Sequence, residues 1–194
     1  MDQEKIFKVA PSALDYALKC KRCLWLADKG IKLDVFFPPI FNAFDLIQKK
    51  FLLTKSVKLI SKTLPDGRIM TEHAGFIGSS ILKDNKGRLF VISGKTDVIV
   101  EFNTKPKKYG IIDLKTTNIN PSKIENYKFQ LESYATIFEN PNSKTPKFSN
   151  VEEIGLYLFE PKEITNISNS SCNMEFETLY LKGNRCHEDL INRI

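Results

Sequence analysis

The sequence predicts a mixed α/β (α+β) domain, a central β-sheet flanked by helices, and three observations carry that prediction. Residues Phe90 to Thr116 hold two runs rich in β-branched and aromatic residues, one ending in VIVEF and one in IIDLKT, which read as strands. From Asn120 to Glu139 the apolar residues recur at helical spacing instead. The order of elements is helices, three or four strands, a helix and two more strands, which suits a sheet packed between helices.

A chain of 194 residues is long enough for one domain with a sizeable core. Its 42% hydrophobic and 27% charged residues are ordinary for a globular protein. No apolar run reaches the roughly 18 residues of a membrane span. Met1-Asp2-Gln3-Glu4 is polar with no apolar segment behind it, so no secretory signal and a cytoplasmic location are expected. The formal charge of +6 permits an anionic partner without demanding one. There is no internal repeat.

Ser12 to Lys29 reads as the first helix, with Ser12 as N-cap, Asp15 in the first turn, Leu14, Ala17, Leu18, Leu24 and Trp25 as an apolar stripe, and Gly30 as C-cap. Cys20 and Cys23 lie on it. Their spacing invites a metal reading with Cys172, Cys186 and His187; the alternative is four buried reduced thiols. Val35 to Pro39 is an apolar run closed by two prolines, and Ile40 to Leu53 is the second helix. Phe41, Phe44, Leu46, Ile47, Phe51 and Leu52 supply its apolar face; Asp45, Gln48, Lys49 and Lys50 fill the rest.

Leu64 to Gly67 is a turn, Ile69 to Leu82 an irregular strand broken at Gly75 and Gly78, and Asp84 to Gly87 a hairpin turn. The chain then enters the Phe90 strand. Asn103 to Lys108 is a polar connection with three lysines, read either as a solvated loop or as a contact to a phosphate backbone. Asn120 and Pro121 open the helix that runs to Glu139, and Ile124, Tyr127, Leu131, Tyr134, Ala135 and Phe138 share one face of it with Gln130 at the edge. Asn140 to Asn150 is a loop, Ile154 to Glu160 a buried strand, Pro161 to Ser171 a polar linker, Met174 to Leu181 a last strand and Arg185 to Ile194 a short helix.

The chemistry concentrates in the Phe90 to Thr116 stretch. Asp97 lies on the first strand; Asp113 and Lys115 lie on the second, two residues apart and therefore on one face. Paired as a hairpin with these faces aligned, the strands bring Asp97 to Asp113. Two neighbouring carboxylates repel unless a proton or a cation separates them. Mg²⁺ suits such a pair, often taking one or two carboxylates plus waters and a substrate phosphate.

Gly94-Lys95-Thr96-Asp97, then Asp113-Leu114-Lys115 in a strand, then Gln130 to Tyr134 on a helix resembles the PD-(D/E)XK nuclease superfamily. The nearest pattern is that of its RecB-like and Cas4-like branch: GxxD, (D/E)xK and QxxxY in that order. The likeness covers roughly Ser12 to Phe159. Cys20, Arg22 and Trp25 are similar to that branch's N-terminal cysteine segment, with Lys21 where its proline would stand. The resemblance implies a restriction-endonuclease-like αβββαβ core in a single domain. Its helical part would span about 12–60, its catalytic core about 69–160, and its C-terminal strand and helix about 172–194.

It also implies a Mg²⁺- or Mn²⁺-dependent deoxyribonuclease acting on single- or double-stranded DNA in repair, recombination or defence. Asp97, Asp113, Lys115, Gln130 and Tyr134 would be catalytic. Asp97, Asp113 and the Leu114 carbonyl would hold the metal, joined by Asp45 or His73, each of which also reads as a surface or structural residue. Lys95, Thr116, Thr117, Lys107 and Lys108 are the candidates for contact with nucleic acid. The branch's iron–sulfur cluster draws on one N-terminal and three C-terminal cysteines; here the division is two and two. A catalytically inactive nucleic-acid-binding module and a structural accessory subunit are the rival readings.

Overall fold

The computed structural model describes residues 6–14, 20–31, 38–70 and 76–194. The readings made for Asp15, Ala17, Leu18, Val35, His73 and Gly75 lie outside the described residues.

The main sheet has five strands. They are β2 (Gly67–Met70), β6 (Val98–Phe102), β7 (Lys108–Thr116), β8 (Val151–Ile167) and β9 (Cys172–Gly183), side by side in that order. Every neighbouring pair is antiparallel except β7 and β8. A parallel pair needs a crossover, and helix α3 (Lys123–Glu139) supplies it. With α2 (Pro39–Leu52) ahead of β2, and leaving out the strands of a smaller sheet that come between β2 and β6, the order is helix, three antiparallel strands, helix, parallel strand: the αβββαβ arrangement. A smaller sheet centres on β5 (Leu89–Lys95). Strand β1 (Phe7–Val9) runs parallel to it on one edge, and β3 (Phe76–Gly78) and β4 (Leu82–Lys83) run antiparallel on the other.

Strand alternation divides the core between the two faces of the main sheet. Ile99, Ile111, Ile154 and Leu156 pack with Leu131, Ile137 and Phe138 of α3. Val98, Val100, Ile112, Leu114 and Tyr157 pack on the opposite face with Leu52, Val57 and Leu64. Residues Phe129 to Phe138 of α3 are all buried, not one face only. The main sheet covers one side of this helix, and β5 and α4 (His187–Arg193) also pack on it. Its polar residues are satisfied inside: Ser133 Oγ donates to the Phe129 carbonyl at 2.7 Å, and Glu132, fully buried, accepts two bonds of 2.9 Å from the Arg185 guanidinium.

Four expectations are corrected. The first helix is interrupted: residues 11–14 form a helical turn, Cys20 is non-helical, and α1 covers Lys21–Asp28. The amide of Cys23 donates to Cys20 Sγ at 3.2 Å, so the thiol caps α1, and Ser12 lies within the earlier turn instead of capping it. The Phe90 to Phe102 strand is two strands, β5 and β6, broken at Thr96-Asp97 where the chain crosses from the small sheet to the main one.

The segment from Pro161 to Ser171 is no linker. It prolongs β8 and pairs with β9, Glu163 opposite Glu175 and Ile164 opposite Met174, with only residues 168–171 left to turn. Its residues are exposed, so pairing needs no apolar alternation to announce it. The fourth correction concerns α2. Of its expected apolar face only Leu52 is buried; Phe41, Leu46, Ile47 and Phe51 are exposed, and Phe44 packs edge-on against Phe176 of β9. The helix instead turns Gln48 and Lys49 toward the end of the main sheet.

Candidate active site

The site forms where the Thr96-Asp97 bend, the end of β7, the middle of α3 and the polar edge of α2 meet. Val98 pairs with Ile112 in the β6–β7 ladder, so the next step places Asp97 opposite Asp113. The bend frees Asp97 from the ladder, and its Oδ2 accepts a bond from the Leu114 amide at 2.9 Å. On β7, Ile111 and Asp113 point to the α3 side while Ile112 and Leu114 enter the opposite core. Asp113 is only 2% exposed.

Helix α3 approaches with Gln130. Its Nε2 donates to Asp113 Oδ1 at 3.0 Å and to the Tyr134 hydroxyl at 3.3 Å. Gly94 explains how the helix comes so close. A methyl group there would stand 3.2 Å from the Tyr134 ring and 2.9 Å from the Pro11 ring. The glycine, the two acids, the glutamine and the tyrosine are therefore parts of one packed unit, though they come from three separate stretches of sequence.

Charge at the site is balanced by lysines. Lys115 Nζ lies 2.6 Å from Asp113 Oδ2, and 5.0 Å above the Tyr127 ring. The partner of this buried oxygen is therefore the Lys115 ammonium. Lys49 of α2 stands 2.7 Å from Asp97 Oδ1 and 2.8 Å from Asp45 Oδ2. Gln48 Nε2 donates to Thr116 Oγ1 at 3.0 Å, which fixes α2 against the end of β7.

Burial is the largest influence on Asp113, opposed by Lys115 and reinforced by the adjacent Asp97 carboxyl, and together they push its pKa up to about 7. Burial alone would lower Lys115, but the Asp113 carboxylate more than offsets it, so Lys115 is held above the usual lysine range and charged. Burial works the same way on Lys49, and Asp45 and Asp97 outweigh it. Burial, then the Asp113 charge, raises the Tyr134 phenol, which stays protonated.

Asp97, Asp113, Leu114, Lys115, Gln130 and Tyr134 are thus brought together. Thr116 and Thr117 leave the sheet beside them, and Lys95, exposed, ends β5 two residues before Asp97. Lys107 and Lys108 are not brought to the site. They stand at the far end of β7, roughly 15 Å or more along the strand, in ion pairs with Glu101 and Glu152. Asp45 reaches the site only through Lys49, and His73 lies outside the described residues. Lys49 and Gln48 escaped the sequence reading. The four-residue step from Asp45 to Lys49 signals an ion pair, but nothing in the sequence says that this edge of α2 turns inward.

The cysteines do not assemble. Cys20 and Cys23 share the cap of α1, Cys172 is exposed on the β8–β9 arm, and Cys186 lies against the Lys128 carbonyl, its thiol pushed up to about 11 by burial and then by Glu132. Among the described residues, no three or more His, Cys, Asp or Glu side chains converge as a metal-binding group. The fit of a divalent cation therefore rests on two adjacent carboxyls, one of them buried with an oxygen whose partner is the Lys115 ammonium. That donor set is small but of the kind Mg²⁺ accepts when waters and a phosphate complete its shell.

No family model and no curated protein matches the chain. Among solved structures the chain is similar to the one named "Crystal structure of SSO0001". The likeness spans 98% of this chain and 75% of that one, with a TM-score of 0.53 at 13% identity. At that identity the similarity is one of fold alone.

Proposed function

We propose that this chain is a metal-dependent nuclease that hydrolyses phosphodiester bonds in DNA. The observation that supports the reading best is the Asp113 carboxyl: buried, beside a second carboxyl and ion-paired to Lys115 on the same strand face. Asp97, Asp113 and the Leu114 carbonyl would hold Mg²⁺ or Mn²⁺. When bound, such an ion polarises a scissile phosphate and lowers the pKa of a water molecule.

The protein's own groups divide the remaining work. The Leu114 amide and Gln130 each fix one carboxyl by a hydrogen bond, leaving the other carboxyl oxygen of each acid for a cation or a lysine. Lys115, charged and anchored on β7, offsets the negative charge that develops on phosphate during attack. Tyr134, itself buried, accepts a hydrogen bond from Gln130 and so helps to hold it in place. Cleavage of single- and double-stranded DNA with Mn²⁺ tests the assignment. Asp113→Ala and Lys115→Ala should each lower the rate at least about a hundredfold; cleavage unaffected by both substitutions rejects it.

A second reading rests on the lysines. Lys49 and Lys115 neutralise Asp97 and Asp113 without any cation, and a non-catalytic nucleic-acid-binding module of this fold would carry such a closed ion-pair cluster. It calls for DNA affinity that falls with salt and for no cleavage with any divalent ion.

A further inference from the structure

Lys49 has no part in the nuclease reading above, yet its ammonium is held by two carboxylates. Its side chain is 18% exposed, and its ammonium bridges Asp97 Oδ1 at 2.7 Å and Asp45 Oδ2 at 2.8 Å. The two acids differ in what else holds them. Asp97 is 14% exposed and has its other oxygen committed to the Leu114 amide. Asp45 is 41% exposed and sits one helical turn from Lys49. The ammonium therefore stands between an inner acid and an outer one. The helix that carries it is pinned by Gln48 to Thr116, with Phe41, Leu46, Ile47 and Phe51 exposed, so the polar edge of α2 is committed to this position.

We propose that Lys49 is a resident counter-cation that competes with a divalent ion for Asp97, and that Asp45 is the outer station to which its ammonium withdraws when the ion is bound. The inference rests on the nuclease reading. A dication next to Asp97 repels the ammonium, and at a few ångströms that repulsion is large even in a polar medium. The ammonium already stands 2.8 Å from Asp45 Oδ2, so the flexible lysine stem has only to release Asp97, without moving the helix. The exchange breaks no covalent bond and needs no proton. Once withdrawn, the ammonium sits at the outer margin of the site, where a substrate phosphate oxygen is a second partner for it. Metal and phosphodiester then load cooperatively, because each takes one side of the Lys49–Asp97 ion pair.

The test is Mn²⁺ affinity measured by calorimetry without DNA on wild type, Lys49→Met, Asp45→Asn and Asp97→Asn. Methionine keeps the packing of the lysine stem and removes the competitor. Lys49→Met should bind Mn²⁺ about tenfold more tightly than wild type, and Asp45→Asn, which leaves the ammonium no outer partner, several-fold more weakly. Asp97→Asn should lose most of the affinity. Should wild type bind Mn²⁺ and Lys49→Met bind it equally or more weakly, the counter-cation role is overturned and the metal site stands. Should Asp45→Asn bind as wild type does, the outer station is overturned; this arm also decides the matter if Lys49→Met does not fold. Absence of Mn²⁺ binding in both wild type and Lys49→Met overturns the nuclease reading itself and this inference with it.

Discussion

Gln130 donates its side-chain amide to Asp113 Oδ1 at 3.0 Å, joining the crossover helix to the central strand through two fully enclosed polar groups. That bond satisfies Oδ1, while the other oxygen of the buried carboxyl meets the Lys115 ammonium at 2.6 Å. Replacing Gln130 by Leu leaves the oxygen buried and unsatisfied. The cost expected is about 1–3 kcal/mol, read from urea denaturation in the presence of a chelator. An unchanged midpoint would mean that the bond is not formed in solution.

Asp113 makes the metal-free protein less stable as pH rises, the reverse of the usual carboxylate. Its folded pKa, raised to about 7 chiefly by burial and then by Asp97 against the pull of Lys115, lies above its unfolded value. Between pH 4 and 7 the folded state therefore binds more protons than the unfolded one. The stabilisation due to protonated Asp113 is complete below the unfolded pKa and is lost as pH climbs through about 7. Its size is about 2–4 kcal/mol across that window. Denaturation at several pH values in chelator should show the decline in wild type and a flatter profile in Asp113→Asn.

Gly94 should tolerate no side chain. A methyl group at this position meets the Pro11 ring at 2.9 Å and the Tyr134 ring at 3.2 Å. Gly94→Ala is expected to cost about 1–3 kcal/mol by overpacking. It should also shift Tyr134, hence Gln130, and so weaken Mn²⁺ binding more than a substitution equally destabilising elsewhere. Melting temperature with and without Mn²⁺ separates the two effects.

Arg185 anchors the C-terminal segment. It pairs with Glu132, which is fully buried, and at 2.8 Å with Glu139. Arg185→Met should destabilise by about 3–5 kcal/mol because the enclosed Glu132 charge loses its guanidinium partner and keeps the Cys186 amide as a donor. Adding Glu132→Leu should recover much of the loss. If the double variant is no more stable than the single, the cost lies in packing and not in the stranded charge.

How far all this could be read from the sequence depends on which physical signal a segment carries. The strands around Asp113 and helix α3 are legible because one face of a strand and the spacing of a helix leave regular apolar marks, Ile111 and Ile112 on β7 and Leu131 to Phe138 on α3. Alternation also places Asp113 and Lys115 together. The break at Thr96-Asp97 is missed because the β-favouring runs Phe90 to Ile92 and Val98 to Val100 lie close on either side of it, with Ser93-Gly94-Lys95 read as part of one strand. Strand β1 is only three residues long, and the β8–β9 arm is solvated on both faces, so neither offers a pattern. Lys49 is hidden for another reason: α2 has an apolar side that suggests a core face, and the tertiary fold exposes it, with Ile47 64% and Phe51 61% accessible.

The most direct test of a cation at the Asp97–Asp113 pair is anomalous diffraction from crystals of the protein soaked in Mn²⁺. The account predicts a single strong peak in contact with a carboxyl oxygen of Asp97 and one of Asp113, with Lys49 displaced from Asp97 toward Asp45. Well-ordered crystals with no peak there, and with Lys49 and Lys115 still paired to the two acids, would contradict it.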